Sequence, residues 1–131
     1  MKKIFLAIII ALFAGTAFGQ TELPRIEQVQ IGINDAFIPD GFDSSMDAYV
    51  VANGIFPNGC YSWAHAEVEH DGFHHKVKTF ANVSQGMCLM VMIPFSEPVY
   101  LGNLAPGDHL IRFYNGDGTY LEKRLAVEEE E

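Results

Sequence analysis

The sequence predicts an all-β fold: a β-sandwich of about seven short strands with one disulfide bond. Runs of β-branched and aromatic residues alternate with turn residues along the chain. No stretch carries apolar residues at helical spacing between helix caps. Only two cysteines are present, Cys60 and Cys88, and they follow a segment typical of export. Strands of this length and number fit a single sandwich domain.

The chain begins with a segment typical of a secretory signal peptide. Two lysines follow the first methionine, Ile4–Ala14 is continuously apolar, and Ala17 and Gly19 are the small residues of a cleavage site before Gln20. A membrane anchor needs roughly 18 apolar residues. We therefore predict a signal peptide at residues 1–19 and one exported domain at residues 20–131, either periplasmic or secreted. No transmembrane segment is predicted in this mature chain.

Composition and charge exclude several classes of protein. The 131 residues carry a net charge of −9 and are 49% hydrophobic, with a sequence pI of about 4.8. The apolar content is too high for a disordered chain. Nucleic acids and anionic lipids both bind clusters of Lys and Arg, which this acidic chain lacks. The acidic tail at Glu128–Glu131 is most simply a solvated end.

Individual strands follow from local patterns. Residues 25–33 and 48–52 are short candidates, and residues 109–114 and 119–127 form a hairpin around a turn rich in Asn, Gly and Asp. Residues 87–93 are apolar at every position, which is typical of a central strand covered on both faces.

A second hairpin is predicted over residues 63–80. Taking Asp71-Gly72 as a two-residue type I′ turn places His70 opposite Phe73. Glu67 then pairs with Lys76 and Trp63 with Phe80. The other face of the hairpin is small and mostly apolar, shares the parity of Cys60, and is predicted to face the core.

Export favours a disulfide bond between Cys60 and Cys88, since these are the only thiols in the chain. Closing this loop is expected to contribute about 3–4 kcal/mol through chain entropy. The bond would join the start of the Trp63 strand to the predicted strand at residues 87–93. Two buried free thiols are the alternative.

Several motifs resemble known β-sandwich families. The Leu104-Ala105-Pro106-Gly107-Asp108-His109 turn resembles the entry to a late strand of immunoglobulin-like and fibronectin-like sandwiches, which often place a corner Tyr where His109 stands. Together with it, four further motifs resemble small secreted bacterial immunoglobulin-like β-sandwich domains: Asn58-Gly59-Cys60-Tyr61, Cys88, Pro94-Phe95 and Val99–Leu104. The resemblance implies an antiparallel immunoglobulin-like sandwich and export. It implies no activity.

Catalytic signatures are missing from the sequence. No serine lies in a Gly-x-Ser-x-Gly elbow, and no glycine-rich phosphate loop opens a helix. The leading hypothesis is therefore a non-catalytic binding or interaction module of the bacterial envelope, without a cofactor and with an unknown partner. A structural envelope component is a further alternative.

A metal site is the second hypothesis for function. The predicted register places Glu69 opposite His74, with His65 and Glu67 on the same face, and these are ligand types that zinc or copper uses. No known ligand spacing is present. The alternative is a solvated polar face on which His pairs with Glu.

A candidate partner-binding loop lies at residues 34–47. It carries Phe37, Ile38 and Phe42 among four aspartates, and a loop of this length is often functional. The alternative is a crossover between the two sheets whose aromatic side chains cap the core.

Overall fold

The computed structural model describes residues 25–130, and every regular element in that range is a β-strand. The strands are β1 (Ile26–Ile31), β2 (Asp35–Phe37), β3 (Phe42–Asp43), β4 (Asp47–Phe56), β5 (Tyr61–Asp71), β6 (His74–Ser84), β7 (Ile93–Asn103), β8 (Gly107–Tyr114) and β9 (Tyr120–Glu128). The predicted all-β sandwich is confirmed. The predicted signal peptide at residues 1–19 lies outside the described residues.

Two sheets form the sandwich. The larger sheet contains β5, β6, β1, β8, β9 and β3, and the smaller one has the order β2–β4–β7. Strand β6 is the centre of the larger sheet, because β5 pairs along one edge while β1 and β8 share the other. The β1 ladder covers residues 79–84 of β6, and the β8 ladder covers residues 74–78. Both the β6–β8 and β3–β9 ladders are parallel, whereas the others are antiparallel.

The core lies between the two sheets. Alternate positions of β4, β6 and β8 point inward, as the two-residue period of a strand requires. The largest fully buried apolar side chains are those of Phe113, Ile111, Leu125, Val50 and Val77. Two histidines, His75 and His109, are buried among them.

The hairpin predicted over residues 63–80 exists, but its predicted register is wrong by two residues. Asp71 pairs with His74, so the two-residue loop is Gly72-Phe73. Gly72 has φ +61°, whereas Phe73, like every other non-glycine residue in the described part of the chain, does not have positive φ. The turn is therefore type II′ with glycine first, and not the predicted type I′. A shift of two residues preserves the faces of both strands. The predicted core-facing side of β6 is therefore confirmed.

The cross-strand partners change with the register. Glu67 lies opposite Lys78 and Glu69 opposite Lys76. An irregularity between Trp63 and His65 reverses the alternation. Trp63 consequently packs against the core and Phe95, while His65 stacks on Phe80.

The predicted central strand at residues 87–93 is also wrong. Residues 87–92 form no strand, and β7 begins only at Ile93. The hairpin predicted near the C-terminus is confirmed as β8 and β9. The segment at residues 34–47 crosses between the sheets, since β2 pairs with β4 and β3 pairs with β9.

The predicted disulfide bond between Cys60 and Cys88 is present, with the two Cα atoms 5.1 Å apart. It joins the residue before β5 to residues 87–92, the segment that replaces the predicted strand. Among residues 25–130 no helix has the length and apolar character needed to cross a membrane.

Candidate functional site

The four residues of the metal hypothesis come only partly together. His65 Nε2 lies 3.4 Å from Glu67 Oε1, and His65 Nδ1 lies 3.3 Å from Gln28 Nε2. The register found in the hairpin separates the other two residues. Glu69 faces Lys76, and His74 faces Asp71.

Within the described range, no three His, Cys, Asp or Glu side chains are grouped closely enough to hold a metal ion. The contact between His65 and Glu67 fits the alternative of a polar face on which His pairs with Glu. The zinc or copper hypothesis stays a prediction, and it rests on this one pair.

Three other histidines form a continuous hydrogen-bonded chain, which we call the histidine chain: His70 of β5, His75 of β6 and His109 of β8. His70 Nδ1 is 2.7 Å from His75 Nδ1, and His75 Nε2 is 2.8 Å from His109 Nδ1. His109 Nε2 then lies 2.7 Å from the backbone oxygen of Ala105. The two nitrogens of His75 bond in different directions, so the three rings do not converge on one point.

The Ala105 carbonyl at the end of the histidine chain fixes the position of each ring proton. The Ala105 oxygen only accepts, so His109 donates from Nε2 and, when neutral, accepts at Nδ1. His75 therefore donates from Nε2 and accepts at Nδ1, and His70 donates from Nδ1. Three neutral rings thus satisfy all three hydrogen bonds. Of the six ring nitrogens in the histidine chain, His70 Nε2 alone has no bond within that chain.

Burial keeps His75, at the centre of the histidine chain, neutral. His75 and His109 are each 2% exposed, while His70 lies at the surface. Desolvation, together with the neighbouring imidazoles of His109, His70 and His74, lowers the pKa of His75 from 6.5 to about 4. The buried ring is therefore uncharged at neutral pH.

A cavity of about 270 Å³ adjoins the histidine chain. It lies between the β5–β6 turn and the loop from β7 to β8, and its walls include Phe73, Leu101 and Leu104 besides the three histidines. Phe73 also contacts the His109 ring, with 4.9 Å between ring centroids. The lining residues in the described part of the chain include no carboxylate or ammonium group.

His109 occupies the position where the resembling families often carry a corner Tyr. Its bond to the Ala105 oxygen reaches back four residues to the backbone, as that corner does. The substitution changes the chemistry of the corner, because an imidazole can accept a further bond at its second nitrogen and a phenol has no such nitrogen.

The second notable feature is at the opposite end of β5: residues 87–92, which we call the apolar loop. Leu89 is 73% exposed and Met90 is 83% exposed. The other exposed apolar side chains of the loop are those of Met87, Val91 and Met92. An exposed cluster of this kind is typical of an interaction surface.

The apolar loop is held in place at its centre. The Cys60–Cys88 bond ties it to the start of β5, and the Gly59 amide donates to the Leu89 oxygen over 2.8 Å. A Cβ atom at Gly59 would lie 3.1 Å from Leu89 Cβ, so glycine allows this close approach. The loop is thus a fixed part of the sandwich.

Its surroundings are nearly free of charge. Residues 48–64 and 79–96, which flank and contain the apolar loop, include no Asp, Glu, Lys or Arg. Ile26 and Ile55 are exposed on the strands β1 and β4 that lead to the same end. One charge of each sign lies at this border, on Arg25 just before β1 and on Glu27 within it.

The three predicted partner-binding residues separate in the structure. Phe37 is exposed and Ile38 is half-buried. Phe42 is only 7% exposed and packs edge-on against Tyr49, so it belongs to the core. Phe42 therefore fits the alternative prediction of a crossover whose aromatic side chains cap the core. Of the three residues, only Phe37 and Ile38 remain accessible for contact with a partner.

Sequence reasoning missed both features for identifiable reasons. The parity of β6 places His75 on the core face, but its contact with His109 depends on the parallel β6–β8 ladder, for which the sequence carries no local signal. The apolar loop has the composition of a buried strand. Only its bond from Cys88 to a turn residue, Cys60, indicates that it lies outside the sheets.

These observations define the class of the protein: a disulfide-bridged β-sandwich with a buried histidine chain at one end and an exposed apolar loop at the other. The model of the ORF11 beta-sandwich domain family matches residues 50–124, which is more than half of the chain. The chain therefore belongs to the ORF11 beta-sandwich domain family. No curated protein and no solved structure gives a significant match.

Proposed function

We propose that the protein is an exported, non-catalytic binding module that inserts the apolar loop into an apolar groove of a partner protein. The observation that carries this proposal is the exposure of five large apolar side chains on one loop held by a disulfide bond. A loop already fixed in place loses little conformational entropy on binding, which favours affinity.

The composition of the loop supports a protein partner. Three of its six residues are methionines, whose unbranched and polarisable side chains adapt to irregular apolar surfaces. A groove lined by apolar side chains is the complementary surface for such residues.

Charge argues against a membrane as the partner. The chain is acidic overall, and loops that bind bacterial or other anionic membranes combine apolar side chains with several lysines or arginines. Among residues 25–130, Arg25 is the one basic residue at the border of the apolar loop, and Glu27 of β1 is two residues away in sequence.

Two observations support the exported, non-catalytic character. Disulfide bonds persist in oxidising compartments, which agrees with the signal peptide expected from the sequence. The two buried imidazoles use both of their ring nitrogens in hydrogen bonds, so neither has a nitrogen free to act as a general base on a substrate.

The proposal is tested by photocrosslinking in cells that make the protein. A photoreactive amino acid at position 90 is expected to yield one discrete adduct with another protein. The matched control is position 46, because Met46 is also an exposed methionine but lies outside the apolar loop.

The partner identified in this way is then purified and its affinity measured. Met90→Asp should weaken binding at least about tenfold, since it places a charge in an apolar contact, whereas Met46→Asp should not. Equal crosslinking from both positions, an adduct only with a second copy of the chain, or Met90-dependent sedimentation with neutral phosphatidylcholine vesicles would each contradict the proposal.

A further inference from the structure

The histidine chain connects three parts of the fold that are distant in sequence. His70 precedes the β5–β6 turn, and His75 is the second residue of the central strand β6. His109 lies in β8 and bonds the loop that leads out of the other sheet. Because the Ala105 oxygen belongs to that loop, the chain ties the tip of the hairpin to the connection between the two sheets.

The number of protons that this arrangement accepts is fixed by its hydrogen bonds. The neutral chain holds three ring N–H groups, and each of them donates one bond. His70 Nε2 is the ring nitrogen that accepts no bond within the histidine chain, so a fourth proton placed there breaks none of the three bonds. A fifth proton must occupy a nitrogen that already accepts an N–H, and one bond of the chain is then lost.

We propose that the histidine chain is a pH-sensitive latch, which holds the β5–β6 turn against the β7–β8 loop with three or four ring protons and releases it when a fifth proton binds. Release separates the walls of the adjoining cavity, because Phe73 lies on one side of it and Leu104 and Ala105 on the other.

Within residues 25–130, no salt bridge involves the histidine chain. The charged and titratable groups that flank the chain are Glu69 and Asp71 of β5, His74 and Lys76 of β6, Asp108 of β8 and Arg124 of β9. They occupy alternate positions of their strands and therefore point away from the buried rings. The end of β7 and residues 104–106 contribute no charged side chain.

Burial supports release at acidic pH. The pKa of His75 falls to about 4 because its ring is desolvated and lies beside other imidazoles. The interior therefore resists the fifth proton until the solution is well below neutrality.

The first test determines the tautomers by nitrogen-15 NMR of the wild-type protein with labelled histidines. At neutral pH, His70 should carry its proton on Nδ1, whereas His75 and His109 should carry theirs on Nε2. The Nδ1 tautomer is the less common one for a free imidazole, so its presence at His70 identifies the chain. The opposite tautomer at His70 would overturn the proposal without any variant being needed.

The second test follows release of the turn by amide hydrogen exchange. The Leu110 amide donates to the Phe73 oxygen over 2.8 Å, and the Ser84 amide donates to the Cys60 oxygen at the other end of the hairpin. Between about pH 6.5 and about pH 4, protection of Leu110 should fall about tenfold or more relative to that of Ser84.

The variants locate this effect. His75→Gln keeps an amide donor and acceptor but does not titrate, so the relative protection of Leu110 should become independent of pH. The matched control is His65→Gln, which removes a histidine of the same hairpin that does not belong to the histidine chain. This variant should behave as the wild type. A wild-type pH dependence retained in His75→Gln, or lost in His65→Gln, would overturn the latch.

Discussion

At the scale of single residues, His75 shows how a polar group becomes acceptable in a core. It is 2% exposed, yet both ring nitrogens are bonded, so burial leaves no unsatisfied polar atom. The sequence predicts its core-facing position from strand parity alone. Its partners are not predictable in that way, because His109 reaches it only through the pairing of β6 with β8.

Burial of neutral His75 makes stability depend on pH. Its pKa in the folded state, about 4, lies below the ordinary value of 6.5, so the unfolded chain binds more protons between these two values. The contribution is fully present above about pH 6.5 and is lost as the pH falls to about 4, with an upper limit of about 3 kcal/mol.

Urea unfolding of the wild type and of His75→Gln across this range measures that contribution. The variant should show a flatter dependence of the unfolding free energy on pH, and His65→Gln should keep the wild-type slope. Hydrogen bonds from neighbouring side chains also lower the pKa values of Asp35, Asp43 and Asp117, but these carboxylates are the same in both proteins, so their contribution cancels in the comparison. Identical slopes in the wild type and His75→Gln would contradict this origin.

At the scale of elements, the β5–β6 hairpin separates what local patterns determine from what they do not. Alternation of polar and apolar residues fixes which face of β6 is buried, and this prediction is correct. The register depends on the turn, where Gly72 takes the first central position of type II′. In a type I′ turn Asp-Gly fills both central positions, whereas in this type II′ turn only the glycine is central and the aspartate ends the strand. The same dipeptide therefore fits two registers that differ by two residues.

Strand β4 contains a position where only glycine fits. A Cβ atom built on Gly54 would overlap the ring of Phe95, which stacks on Phe56 at 4.3 Å between centroids. Gly54→Ala must displace that ring, so we expect a loss of about 1–3 kcal/mol in the free energy of unfolding.

The matched control for Gly54→Ala is Ile55→Thr. Ile55 is the next residue of β4, points to the exposed side, and is replaced by another β-branched residue with good strand propensity. Chemical unfolding should show a change of about 0.5 kcal/mol or less for the control. A loss in Gly54→Ala no larger than in Ile55→Thr would show that the Phe95 ring moves aside at little cost.

At the scale of the whole molecule, apolar side chains and charges separate along the strand direction. Most of the exposed aliphatic side chains lie near the end that contains the Cys60–Cys88 bond, while charged residues follow β5, β6 and β9 toward the other end, where Phe73 is the exposed aromatic residue of the turn. The sequence predicts the disulfide bond and the sandwich. It places the apolar loop in the core because composition alone does not distinguish a buried strand from an exposed binding surface.

The disulfide bond is expected to stabilise the whole domain chiefly by restricting the unfolded chain. Cys60 and Cys88 are 28 residues apart, which corresponds to about 3–4 kcal/mol of loop-closure entropy. The double variant Cys60→Ser/Cys88→Ser should lose about this amount in urea unfolding and should keep the β-sheet circular dichroism of the folded domain, because residues 87–92 contribute no strand to either sheet.

Wild-type protein unfolded in the presence of a reductant is the matched control and should show the same loss. A loss below about 1 kcal/mol in both samples would mean that the reduced loop already keeps its place through the Gly59–Leu89 hydrogen bond, which alone contributes about 1 kcal/mol.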